Sequence, residues 1–133
     1  MNPNPIRFAR WFAFVVGGLD TGTGLGLVLL PAFTLGAMGV TVPGDEALTF
    51  VRFTGVFVGS VGASYLLALA GGSVAALAQV FRFTLLFRLV AGAFVAVMVA
   101  SGKLAPSWLS VTGTDWGIVA VQVWWLRRNR GLA

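Results

Sequence analysis

Apolar positions fall in four long blocks, separated by short stretches where prolines, glycines and charges collect. A helix needs about 20 mostly apolar residues to cross the hydrocarbon of a bilayer. Four segments reach that length, at about 11–31, 50–70, 83–101 and 109–126. Pro31 and Pro106 close the first and third, and Gly71 and Gly72 turn the chain between the second and third. Pro43 and Gly44 precede Asp45 and Glu46, which places two acids in the first turn of the second helix, where the helix dipole favours them. Arg7 and Arg10 before the first block imitate a signal peptide. The block is too long for such a segment and three more follow, so it reads as a retained helix.

Composition sharpens this picture. Of 133 residues, 58% are hydrophobic and 10% charged, with mean hydropathy +0.92. Soluble domains carry about 25% charged residues. A soluble domain, a disordered chain and a nucleic-acid-binding tail are therefore poor readings. The expected fold is all-α, an integral membrane bundle of four transmembrane helices, with residues 1–133 as a single domain.

Charge sets the expected orientation. Arg7 and Arg10 precede the first span, Arg127, Arg128 and Arg130 follow the last, and Arg82 falls at the connection from second to third. Lys103, Arg52 and the acids Asp45, Glu46 and Asp115 occupy the other side. Both termini are expected to be cytoplasmic. Trp11, Trp124 and Trp125 would mark the inner interface, and Trp108 and Trp116 the outer one. Arginine far outnumbers lysine, and Ala, Gly and Val abound, as in a GC-rich bacterium. The bacterial inner membrane is the expected location.

What is missing narrows the chemistry. The chain has no cysteine and no histidine, and its carboxylates are Asp20, Asp45, Glu46 and Asp115. Disulfides, thiolate nucleophiles, zinc imidazoles and haem histidines are excluded, and carboxylates are too few for a calcium cage or di-iron site. No metal and no cofactor is expected.

Small residues offer packing faces. Gly18, Gly22 and Gly26 share a spacing of four, as do Gly55, Gly59 and Ala63, then Gly92, Ala96 and Ala100, with Gly113 and Gly117 in the last span. Lipid is as apolar as leucine, so close backbone approach along such stripes joins membrane helices. A repeat is also visible. Arg7, Phe8, Phe12, Val15, Gly17, Leu29 and Pro31 recur at one constant offset as Arg82, Phe83, Phe87, Val90, Gly92, Leu104 and Pro106. A true duplication would make two parallel-related hairpins.

Charges at membrane depth are the sharpest functional signal. At 1.5 Å per residue, Asp20 lies roughly 15 Å beyond Arg10, near the midplane. Arg88 lies roughly 9 Å beyond Arg82, and Gln122 roughly 7.5 Å before Arg127. Tyr65 and Ser64 lie roughly 9 to 10 Å before Gly71. Asp20, Ser64, Tyr65, Arg88 and Gln122 thus form one expected intramembrane cluster, with Asp20 paired to the Arg88 fork. Three roles compete: an ion pair that sets helix register, a ligand pocket opening inward, and a proton or cation path through Asp20. Arg88 has the alternative of snorkelling to the headgroups and leaving a protonated Asp20. Arg52 and Asp115 suggest a second, stabilising pair at the outer mouth. The run from Asp20 to Gly26 imitates a phosphate loop but lacks the preceding strand and the lysine. It suggests close packing and local unwinding instead. The connection from Ala32 to Thr49 is apolar for a loop, at Phe33, Leu35, Met38 and Val40, and suits a cap lying on or in the bilayer.

Several runs carry a family resemblance. They are the first span ending at Pro31, Arg52-Phe53-Thr54-Gly55-Val56-Phe57-Val58-Gly59 in the second, Phe87-Arg88-Leu89-Val90-Ala91-Gly92 in the third, and Gly102-Lys103-Leu104 before the fourth. Together they resemble the small four-helix bacterial membrane proteins of the DUF4345 and DoxX-like families. The resemblance implies the four-helix fold and no particular activity. Where it implies an acid in the middle of the fourth span, Gln122 stands. The expected function is non-enzymatic: an accessory subunit of a membrane complex, or a binder of a lipid-like hydrophobic small molecule. The alternative is a small proton-coupled transporter or channel using Asp20. Expected partners are membrane lipids, together with a larger membrane complex or further copies of the chain, and no nucleic acid.

Overall fold

The computed structural model describes residues 4–129, all helical with no strand among them. Arg130 lies outside the described residues. The elements are α1 (Pro5–Leu29), α2 (Pro31–Ala37), α3 (Asp45–Ala70), α4 (Val74–Ala100), a 3-10 turn (Pro106–Trp108) and α5 (Leu109–Arg128). Three of them, α1, α3 and α4, are long and apolar enough to cross a membrane. The fourth long helix, α5, is shorter, at 20 residues, and carries Asp115, Arg127 and Arg128.

Local chemistry explains the boundaries. The Asn4 side chain accepts from the Ile6 amide and Pro5 occupies the first turn, so α1 starts six residues before the expected Trp11. Pro31 has no amide hydrogen to continue α1 and instead opens α2. Asp45 and Glu46 stand in the first turn of α3. Gly72, at φ +71°, reverses the chain after α3. Ser73 then caps α4 by accepting from the Ala76 amide. That cap starts α4 at Val74, nine residues before the expected Phe83. Arg82 therefore lies within α4, exposed on its surface, and not in a connection. A lone arginine does not end a helix when its long side chain can leave the apolar face. The glycines between Asp20 and Gly26 do not unwind α1, which is continuous to Leu29.

The helices pair as two hairpins, α1 with α3 and α4 with α5. The ends of α1 and α5 meet, with the Trp125 indole Nε1 donating to the Pro5 carbonyl at 3.0 Å. In the contact of α1 with α3, the expected Gly55 and Gly59 carry the α3 side, but the stripe on α1 differs from the expected one. Gly17 abuts Tyr65 and Gly62, and Gly24 abuts the backbone of Gly55 and Gly59. Gly18 and Gly22 face open space. Residues seven apart return to one face after two turns, and here that face carries the contact. Gly113 and Gly117 are likewise open, while Gly92 makes room for the Trp116 indole. Some recurring residues hold equivalent places, Gly17 and Gly92 each facing an aromatic residue of the partner helix of their hairpin and Pro31 and Pro106 each opening the short element before that helix, whereas Phe12 is buried and Phe87 exposed.

Two apolar layers hold the hairpins together. At the Pro5 end, Phe81 meets the Phe12 and Trp125 rings edge to face, with centroids 5.5 and 5.4 Å away. Trp125 is 1% exposed, so it belongs to this layer and not to an interfacial belt. At the α2 end, Leu35 and Val40 pack on Leu27, so the connection expected to form a cap does fold over the bundle. Between the layers lie the polar groups.

Candidate functional site

Asp20 is on α1, Arg88 on α4 and Asp115 on α5, each near the middle of its helix. Counted from the Pro5 end, all three sit after roughly 20 Å of helix. The earlier start of α4, at Val74, brings Arg88 to the level of Asp20 and not nearer the Pro5 end. The Arg88 guanidinium is the hub. Its Nη2 donates to Asp20 Oδ2, and its Nη1 donates to Asp115 Oδ1 at 2.7 Å. Its Nε points to the Tyr65 hydroxyl at 3.4 Å, and its centre lies 5.7 Å from the Tyr65 ring.

The hydroxyl continues the network. Tyr65 Oη lies 2.7 Å from Thr84 Oγ1, and the Gln122 amide nitrogen donates to both, at 2.5 and 3.0 Å. Thr84 also donates to the Val80 carbonyl at 2.8 Å. Because Tyr65 Oη receives Arg88 and Gln122, its own proton is directed to Thr84, whose proton goes to Val80. Every helix that crosses the bundle thus contributes to one chain of hydrogen bonds. Gln122 is fully buried, and its Oε1 has no partner among the described residues.

Of the expected cluster, Asp20, Tyr65, Arg88 and Gln122 are brought together. Ser64 is not. Its hydroxyl donates to the Val61 carbonyl of its own helix at 2.6 Å, as serines in helices do when no better acceptor faces them. The expected pair of Arg52 with Asp115 does not form. Asp115 is taken by Arg88, and Arg52 donates to the Val28 carbonyl of α1. Helix α3 packs on α1 and α4 but not on α5, so the two residues never face each other. Thr84 escaped the sequence reading. Its signal is position, four residues before Arg88 and so on the same helix face.

Cavities flank the charged hub. One, of about 350 Å³, lies between α3 and α4, with Asp20, Arg88 and Asp115 at its base and Phe53, Phe57 and Phe87 on its walls. Those three rings are 57–64% exposed, so the cavity opens sideways through the apolar surface. The other, of about 320 Å³, lies between α1 and α5 under α2, and Asp20 lines it as well. No ionisable wall residue other than the hub lines either cavity. The arrangement offers fixed charge, hydrogen-bond acceptors and an apolar entrance. Comparison with protein-family models, with curated proteins and with solved structures gave no match to this chain.

Proposed function

We propose that this is a non-enzymatic integral membrane protein of the bacterial inner membrane that binds a lipid-like hydrophobic small molecule between α3 and α4. In this reading α5 is a fourth span, both termini are cytoplasmic, and the resemblance to DoxX-like proteins reflects kinship. One observation carries it: a cavity of about 350 Å³ with an aromatic, sideways entrance ends on a charged hub midway along the long apolar helices. Charge in that position is costly, and function is the usual reason for it. A cavity with apolar walls and a few convergent polar groups is the usual form of a small-molecule site.

Native mass spectrometry of protein extracted gently from its own membrane tests this. The expected result is a reproducible extra mass of a few hundred daltons, lost when Ala91→Phe fills the cavity. A bare chain, or the same extra mass in Ala91→Phe, overturns the reading. Co-released protein subunits would support the accessory-subunit role instead.

One observation favours a second reading, a proton-coupled transporter: Asp20 lines both cavities. The Phe12, Phe81 and Trp125 layer closes the Pro5 end, so transport would require that layer to part. Flux into liposomes that Asp20→Asn abolishes, with folding intact, is the corresponding test.

A further inference from the structure

We propose that the molecule held between α3 and α4 carries a protonated amine as its head group. This rests on the reading of that cavity as a binding site. The hub contains two carboxylates and one guanidinium, so with both acids ionised it carries one uncompensated negative charge. The one cation of α3, Arg52, is turned to the Val28 carbonyl of α1 and does not line the cavity. A net charge held among apolar helices calls for a counter-charge.

The exposed side of the hub also selects the sign. The Arg88 side chain is 5% exposed, against 12% for Asp20 and 16% for Asp115. An occupant therefore meets carboxylate oxygens beside a guanidinium whose nitrogens are already engaged by Asp20, Asp115 and Tyr65. Carboxylates only accept hydrogen bonds, so the matching head is a donor and a cation. The walls agree. Phe53, Phe57 and Phe87 present aromatic faces, which attract ammonium groups and also accommodate an apolar tail. A fatty acid or phosphate head would meet repulsion from both acids.

Binding of dodecylamine, dodecanol and dodecanoate to the purified full chain in phosphatidylcholine nanodiscs tests the proposal. Tightest saturable binding by the amine is expected. Asp115→Asn should weaken the amine at least about tenfold and the alcohol much less, because the amine loses a charge-assisted contact and the alcohol only a neutral donor's. Ala91→Phe, which leaves the hub untouched, should abolish binding of both and serves if the aspartate variant fails to fold. Equal binding of amine and alcohol keeps the cavity but overturns the ammonium head, a proton then balancing the hub. Tighter binding of dodecanoate overturns it too. No binding of any probe overturns the cavity reading itself. Phosphatidylethanolamine in the nanodisc distinguishes sources: competition with dodecylamine supports a lipid amine, and lack of competition supports a free one.

Discussion

Asp20 and Asp115 share one guanidinium, although their helices barely touch. Arg88 is the link between the hairpin of α1 and α3 and the hairpin of α4 and α5. Its removal does more than break a pair, because it leaves a buried and a half-buried carboxylate facing each other.

The three members should therefore respond unequally. Arg88→Gln is expected to destabilise by about 3–5 kcal/mol, as when one partner of a buried ion pair is lost. Asp115→Asn leaves a balanced pair and should cost far less. Combining Arg88→Gln with Asp20→Asn and Asp115→Asn should recover most of the loss. Unfolding in mixed micelles compares these three variants, and Asp20→Asn alone, with wild type. Additive losses would refute the coupling.

Tyr65 carries the polar network from Arg88 to Gln122 and Thr84. Tyr65→Phe leaves the shape and removes the hydroxyl, so Arg88, Gln122 and Thr84 each lose a partner. A cost of about 1–3 kcal/mol is expected. A double-mutant cycle with Thr84→Val should show coupling, since both deletions break the same contact.

The glycines of α1 should divide sharply. A Cβ at Gly24 would run into the Gly59 backbone, so Gly24→Ala should separate α1 from α3 and destabilise by several kcal/mol. Gly18→Ala and Gly22→Ala meet nothing within 4 Å and should stay within about 0.5 kcal/mol of wild type. Thermal unfolding of the three variants decides between this packing and the stripe of spacing four.

The absence of native cysteine makes topology directly measurable. Single cysteines at Gly44 and Ser101 should react with a membrane-impermeant thiol reagent added to intact cells. Those at Ser73 and Asn129 should react only after the cells are opened. Labelling of position 129 from outside would mean that α5 does not cross.

Trp125 joins the aromatic layer at the Pro5 end and holds the start of α1 through its indole. Trp125→Ala should cost about 3–5 kcal/mol, as for other large buried rings. Trp124→Ala, at a position 46% exposed, should cost much less.

The sequence by itself determined the all-helical class and the existence of the four long helices, and it singled out Asp20 and Arg88 as charges that could meet while leaving open an Arg88 that snorkels away. Those follow from composition, from the length of apolar runs and from the cost of charge at depth, which are properties of the chain wherever its helices lie. The tertiary structure alone decided the rest. Asp115 joins Arg88 and not Arg52 because α5 lies beside α4 and away from α3. Gly17 and Gly24 carry the contact that Gly18 and Gly22 do not, because the rotation of α1 about its axis depends on what it packs against. Trp125 is core and Trp124 surface for the same reason: adjacent residues on a helix point about 100° apart, and only the neighbours say which direction is inside.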